Sequence, residues 1–563
     1  MIKARLESLE FVGGVTVPLN ADSVVVIVGP NNSGKSAVLA AVRTRLASLE
    51  TAPSSLVRFS VLRETSIDDI LSALSSFKDA HGVFRIPGAT VFEHQLKAWW
   101  TGGDEVVGPY LTSQILCDLN TRSRLADCDP APAFESRNPG TASHPFQRMY
   151  SDDRLEKKAS DIFRAAFKRD LLIHRAASNS IPAYVGERPK VNKEAEEDRL
   201  SRSYIDKVEA LDRLETQGDG VRSFASIVGR VITESRPIQL IDEPEAFLPP
   251  PLAQLIARSI LNDSGSRQTL IATHSSDVLR GLLSGGLDRV SVVRLTRPAS
   301  GAQSNYLEAD QVSDLWRDPI LRFSNVLDGL FHEGVILTEA DADCRFYQAL
   351  AFESIPESER PSIHYTYSGG KDRLPVVIKA LVSLKVPVVT IADFDLLNND
   401  QPLRRIVEAH GGFWADVVED WSAIKKAVEE SSAFTDGARF RKEVITLLDS
   451  YGDELAVPKK TLKDIERLSR RASPWDNAKG SGLSVIPTGE ATVRANKLLA
   501  KLKELGIFVA PSGEMEGFCR SIGGHGPRWV AQVIKDKDLG TDEELAPARA
   551  FIQDVNRYLL GKS

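Results

Sequence analysis

The stretch Val24 to Ser36, VVVIVGPNNSGKS, constrains this chain more than any other. Five consecutive apolar β-formers, Val24 to Val28, read as a strand buried on both faces. The strand enters Gly29-Pro30-Asn31-Asn32-Ser33-Gly34-Lys35-Ser36, which fits G-x-x-x-x-G-K-[ST] at every fixed position. Ala37 to Leu46 then reads as a helix, so the motif has the strand–loop–helix context it requires. Glycines let backbone N–H groups turn toward a polyphosphate, and the helix N-terminus adds partial positive charge. Gly29, Asn31, Asn32 and Gly34 are the expected cradle, with Lys35 reaching the β/γ-phosphates of ATP and the Ser36 hydroxyl ligating Mg²⁺.

A chain of 563 residues has room for two to four domains. The formal net charge is −7, so a nucleic-acid partner has to be met by local basic patches. No apolar run approaches the length of a membrane span, and MIKARLESLEF lacks the apolar core of a secretory signal. Cys117, Cys128, Cys344 and Cys519 are scattered without metal-ligand spacing and read as reduced thiols of a cytoplasmic protein.

Residues 1–20 alternate apolar and polar side chains, as two short antiparallel strands feeding the glycine-rich loop would. Helices are expected over Ser66–Lys78 and Asp152–Lys168, with a loop near Asp129–Ser143. Glu187–Arg202 is dense in charge and reads as a solvated helix face or a mobile loop. A helix from Tyr204 to about Thr216 precedes Gln217-Gly218-Asp219-Gly220 and a second helix, Val221–Thr233.

Two strand ends complete the first constellation. Pro237 to Glu245, PIQLIDEPE, reads as a buried strand ending in Asp242 and Glu243. Next to a phosphate loop, Asp242 can hold Mg²⁺ through water and Glu243 can orient an attacking water. Gln268 to Thr273 forms another apolar strand, after which His274 can contact a γ-phosphate.

A second constellation starts near Phe331. Strands are expected at Gly334–Thr338, Ile363–Tyr367 and Pro387–Ala392, ending at Glu339, Ser368 and Asp393-Phe394-Asp395. In a parallel sheet these ends share one edge, where Glu339, Asp393 and Asp395 would converge. Clustered carboxylates repel one another unless cations sit among them, and hard oxygen ligands suit Mg²⁺ or Mn²⁺. Two such ions can clamp an in-line attack on a phosphodiester. Asp341 reads as a helix-capping or water-facing residue.

GPNNSGKS, LIDEPEAFLPP and THSSDVL resemble the Walker A, Walker B and His switch of ABC-type ATPases that act in recombination and chromosome maintenance. QGDGVRSF stands where that family carries its signature helix and departs from the LSGGQ-like form, which places the role on Gly220 or Ser223. Glu339 and the DFD of Asp393–Asp395 resemble the acidic residues of a Toprim domain. The two together are similar to the OLD (overcoming lysogenisation defect) family of ATP-dependent endonucleases, an architecture shared with the Gabija nuclease subunit and some retron effectors.

The resemblance implies an α/β chain. Residues 1–60 and 201–328 would form the ATPase, 61–200 a mainly helical insertion, and 329–563 a Toprim nuclease with helical additions. It implies further metal ligands at Asp343 and Glu516, with Glu514 as the other candidate in GIFVAPSGEMEGF. It also implies a homodimer or higher oligomer, DNA as substrate, an anti-phage setting, and a partner such as a helicase or a reverse transcriptase with its DNA product. The family lysine before a G-P-x-W-like stretch is absent from Gly523-Gly524-His525-Gly526-Pro527-Arg528-Trp529, leaving His525, Arg528 or Lys371 to supply a cation. Two other readings remain open: an ATP-gated DNA-binding or assembly protein that does not cut, and an effector silent until a partner releases it. Lys459–Arg471 and the run Arg494, Lys497, Lys501 and Lys503 read as solvated helix faces or as DNA-backbone contacts.

Overall fold

A computed structural model describes residues 2–48, 53–86, 89–103, 105–135, 142–176, 179–191, 197–286, 288–297, 301–319, 322, 325–431, 437–450, 458–471 and 474–562. The chain divides into two compact α/β units, Met1–Phe323 and Ser324–Ser563.

The first unit is built on a six-stranded sheet. Its order is Gln303–Leu307, Val290–Thr296, Val24–Val28, Gln268–Ala272, Ile238–Asp242 and Leu116–Leu119. All neighbours pair in parallel except the antiparallel Gln303–Leu307 edge. Val24–Val28 is buried at every position because helices and sheet cover both its faces, which is why it reads as an unbroken apolar run. Its position between Val290–Thr296 and Gln268–Ala272 brings the three sequence motifs to one edge. An antiparallel sheet of Val15–Pro18, Ala4–Phe11 and Leu56–Arg63 packs into the same core through Leu6, Leu9, Phe11 and Phe59.

The segment 61–200, expected to be mainly helical, carries short strands as well as helices. Helices such as Asp153–Phe167 are present, but so are the strands Val83–Ile86, Ala89–Phe92, Leu116–Leu119, Ala131–Pro132, Asp170–Ile173, Ser180–Ile181 and Ala183–Gly186. Runs of two to four residues are too short to display a period-two pattern. One of them, Leu116–Leu119, belongs to the central sheet itself. The helix expected to Thr216 ends at Glu209, and the Ser66–Lys78 helix covers Ile67–Ala73 before a short 3-10 turn. Parts of the expected 129–143 loop and 187–202 segment, residues 136–141 and 192–196, lie outside the described residues.

The second unit has a four-stranded parallel sheet in the order Ile363–Tyr367, Gly334–Thr338, Val388–Ala392, Ile507–Val509. The helices Asp341–Ser354, Gly526–Asp536 and Ala546–Lys562 cover one face through Phe346, Trp529 and Ile552. No described helix is long and apolar enough to cross a membrane. All four cysteines are free and buried.

Candidate functional site

In the first unit, Gly29 has φ +145, and a Cβ there would meet the Leu295 carbonyl oxygen at 2.1 Å, so only glycine fits. Asn32 and Gly34 also have positive φ, 63° and 94°, which turns the loop back on itself before the helix Lys35–Ala47. The Lys35 ammonium donates to the Gly29 and Pro30 carbonyls, each at 2.9 Å. Burial draws its pKa down, opposed by the charges of Glu243, Glu245 and Asp242. The Ser33 hydroxyl is buried without a hydrogen-bond partner among the described residues. A loop closed around an unpaired hydroxyl, with a lysine parked on its own carbonyls, fits a polyphosphate.

The Ser36 hydroxyl donates to Asp242 Oδ1 at 2.8 Å, joining the helix start to the neighbouring strand end. Burial holds the Asp242 pKa up against that bond. The pair therefore offers a hydroxyl and a carboxylate to one hard cation. Glu243 has φ +49 and its N–H is fixed on the Ala272 carbonyl at 2.8 Å. Such a backbone is costly for a non-glycine residue and is found where a side chain must be aimed.

Glu245 was not singled out from the sequence, yet it organises the site. Its Oε1 accepts from Thr273 Oγ1 at 2.7 Å and from the His274 N–H at 2.9 Å. His274 Nδ1 lies 3.2 Å from the same oxygen and 3.5 Å from Glu243 Oε1. Arg124, fully buried, donates to the Glu243 carbonyl at 2.9 Å. Nothing in the local sequence of Arg124 announces it, because it reaches the site from the segment between the motifs. Ser223 is buried within its own unit, its hydroxyl 3.4 Å from the Ala246 carbonyl. It is therefore not presented to another subunit as a signature serine would be.

In the second unit the strand ends gather Glu339, Asp343, Asp393 and Glu516 with Lys479, Glu514 and His525 around an open cleft of ≈ 390 Å³. Asp393 is pushed up to about 8, first by burial and then by Asp343, with Lys479 opposing. Asp343 rises to about 6 through burial, although its carboxylate caps the Ala340 N–H at 3.1 Å. Burial also raises Glu339 and Glu514. Carboxylates held this way favour a bound cation over solvent. Glu516 Oε1 accepts from the Gly526 N–H at 2.7 Å, and ligand atoms of Glu514, Glu516 and His525 lie within 4.8 Å of one another. The oxygen-rich donor set fits Mg²⁺ or Mn²⁺. Asp341 also lines the cleft, with its carboxylate paired to Arg345 at 2.8 Å.

The missing lysine is answered from an unforeseen element. Lys479 Nζ lies 3.5 Å from Asp393 Oδ2 and 3.5 Å from Asp395 Oδ2. It sits on the helix Pro474–Ser481, which glycines allow to approach the strand-end loop. A Cβ on Gly513 would meet the Lys479 carbonyl oxygen at 2.1 Å, and one on Gly482 would meet the Pro511 carbonyl oxygen at 2.0 Å. Lys371, one of the three expected substitutes, donates to Asp395 Oδ1 at 2.5 Å and lies 4.0 Å from Glu339. His525 lines the acidic side of the cleft, and Arg528 is exposed on the following helix. Tyr347, buried below the carboxylates, was also unforeseen; burial and the charges of Asp393, Asp343 and Glu516 keep it protonated.

The basic run on Glu490–Leu505 is largely spent on internal pairs. Arg494, Lys497 and Lys501 converge on buried Asp420 at 2.9, 3.7 and 2.8 Å, and Lys503 pairs with Asp554 at 2.6 Å. These pairs fix helix packing, where the charge run was open to a solvated face or DNA-backbone contacts.

No known family model matches the sequence, and no curated protein matches it. Among solved structures, an SMC head bound to the C-winged helix domain of ScpA aligns at 12% identity, covering 55% of this chain and 99% of that one, with TM-score 0.35. An SMC head domain from Thermotoga maritima aligns at 13% identity, over 55% of this chain and 99% of that one, with TM-score 0.26. An ATP-binding cassette of an ABC transporter in its ADP conformation aligns at 13% identity, over 57% and 97% of the two chains, with TM-score 0.25. Likeness at these scores carries no weight for function, which rests on the side chains described above.

Proposed function

We propose that this chain is an ATP-binding and ATP-hydrolysing ABC-type ATPase joined to a Toprim-like, metal-dependent DNA endonuclease. The single observation that carries the nuclease half is the acidic strand-end cluster of Glu339, Asp343, Asp393, Asp395 and Glu516 with Lys479 and Lys371 beside it. The ATPase half is supported by the Ser36–Asp242 bond at the foot of a glycine-rich loop.

In the first module Lys35 leaves the loop carbonyls for the β/γ-phosphates, and Ser36 and Asp242 hold Mg²⁺. Glu243 orients water, with His274 held beside it by Glu245. In the second module Glu339, Asp393 and Asp395, with Asp343 and Glu516, would hold the divalent ions. Bound there, Mg²⁺ or Mn²⁺ supplies charge stabilisation for in-line attack on a phosphodiester. Lys479 and Lys371 place fixed positive charge where charge develops on the phosphate. The order of modules follows the OLD family, so we place the protein in the cytoplasm as a nucleotide-regulated, homodimeric anti-phage effector. The reading in which the second module no longer cuts drew on the absent lysine. Lys479 beside Asp393 and Asp395 supports the cutting reading instead.

The test is a pair of substitutions in the full chain. Lys35→Ala should stop ATP hydrolysis, and Asp393→Ala should stop metal-dependent cutting while ATP turnover persists. Cleavage that survives Asp393→Ala would place the nuclease chemistry elsewhere.

A further inference from the structure

The two ends of the acidic cleft are not alike. Asp393 and Asp395 face fixed positive charge, from Lys479 at 3.5 Å to each and from Lys371 on Asp395. Glu514 and Glu516 have none: among the described residues their ion-pairing neighbour is His525 alone. Both carboxylates line the cleft, 13% and 12% exposed, while Met515 between them packs into the core.

His525 precedes the helix Gly526–Asp536 and stands between two glycines of positive φ, Gly524 at +104° and Gly526 at +61°. That turn brings the Gly526 N–H onto Glu516 Oε1 at 2.7 Å, which ties the segment carrying the imidazole to one of the two carboxylates. A hydrogen bond of this kind occupies one lone pair of the oxygen and orients the carboxylate, as the outer partners of metal ligands do.

His525 Nδ1 lies 3.4 Å from Glu516 Oε1 and 3.7 Å from Glu514 Oε1, and ligand atoms of all three residues lie within 4.8 Å of one another. The first two separations exceed an ordinary hydrogen bond of about 2.7–3.2 Å. They suit a shared ion: two ligands each about 2.1 Å from a metal, at a tetrahedral angle, stand roughly 3.4 Å apart. Donor type then decides which ion. Glu339, Asp393 and Asp395 offer oxygen alone, which suits Mg²⁺. An imidazole nitrogen beside two carboxylates is a borderline donor, taken up reluctantly by Mg²⁺ and readily by Mn²⁺, Co²⁺ or Zn²⁺.

We propose that Glu514, Glu516 and His525 form a site for one first-row transition-metal ion, His525 giving it preference over Mg²⁺. This rests on the proposed reading of the cleft as a metal centre and names the ion at one end of it. In this role His525 is a ligand of the cation and not a substitute for the missing lysine.

The experiment uses full-length protein stripped with EDTA and dialysed, without ATP. It carries His274→Ala, so that the imidazole beside Glu243 and Glu245 contributes no signal. Mn²⁺ is titrated alone and against Mg²⁺, with bound ion counted by EPR. Pulsed EPR detects a ligating nitrogen directly, whether or not the protein cuts DNA. The expected result is nitrogen-coupled Mn²⁺. Adding His525→Ala should abolish the coupling and weaken Mn²⁺ by about tenfold or more, so that the preference over Mg²⁺ falls by a similar factor. His525 is 75% exposed, so this change should leave the metal-free Tm where it was. His525→Asp, with oxygen in place of nitrogen, should keep an ion and lose both the coupling and the preference. Mn²⁺ bound without nitrogen coupling, or a coupling and preference that survive His525→Ala, overturns the proposal; if Asp393→Asn still weakens ion binding, the reading of the cleft stands without it. Ion binding indifferent to both His525→Ala and Asp393→Asn overturns the two together.

Discussion

If the strand-end carboxylates form a cation site, the metal-free protein must lose stability as pH rises. Asp393 has its pKa pushed up to about 8 from the ordinary 3.8, chiefly by burial. Its folded form therefore keeps a proton through a window in which the unfolded chain has lost it. Stability is full below about pH 4 and falls with a slope near 1.36 kcal/mol per pH unit until about pH 8. Four units would give roughly 5–6 kcal/mol. Asp393 is only 22% exposed, but water entering the open cleft softens the penalty, so about half, ~3 kcal/mol, is the working figure. Asp343, raised to about 6, adds a smaller fall between about pH 4 and 6. For a unit of this size ~3 kcal/mol is roughly 6–12 °C in Tm.

Calorimetry in EDTA between pH 5 and 9 covers about three of those four units, so the transition of the Ser324–Ser563 unit should move down by roughly 4–9 °C. Asp393→Asn should flatten most of the slope. Mg²⁺ should restore Tm most at high pH, because it binds the ionised form and replaces the lost protons. A wild-type transition that is level or rises with pH in EDTA, or a slope equal to that of Asp393→Asn, would refute the reasoning.

Three further outcomes follow from particular side chains. Lys35→Ala should abolish ATP turnover with the far-UV spectrum unchanged; unchanged turnover would remove the phosphate-loop assignment. Lys479→Met should lower DNA cleavage by about 10²–10³ while ATP hydrolysis continues, because one fixed positive charge beside the phosphate is worth about 3–4 kcal/mol; equal cleavage rates would make that lysine structural. Gly513→Ala puts a methyl 2.1 Å from the Lys479 carbonyl at φ +103, so it should cost about 2 kcal/mol or more of stability and lower cleavage; wild-type values for both would show that the approach of the two segments is not tight.

The parts that carry chemistry were legible where a buried strand ran into them. Val24–Val28, Ile238–Asp242, Gln268–Ala272 and Gly334–Thr338 are apolar runs that a parallel sheet buries on both faces, so each strand end, and the residue after it, could be placed by reading alone. Glu245, Arg124 and Lys479 were not legible for a different reason. Each acts through a contact between segments distant in sequence, and none sits at a spacing that marks its role. The strands of residues 61–200 escaped because runs of two to four residues carry no period. The basic run of Arg494 to Lys501 stayed open to two readings because charge pattern shows where cations are and not that a buried Asp420 pairs with them.

Cleavage of supercoiled plasmid by the full-length protein tests the central claim most directly. Reactions contain Mg²⁺ or Mn²⁺, with and without ATP, beside Glu339→Ala. The account predicts nicked or linear product only with metal and none from the variant, with the ATP lanes giving the sign of the coupling. Cutting that persists in Glu339→Ala, or intact ATP hydrolysis with no cutting in any lane, would contradict it.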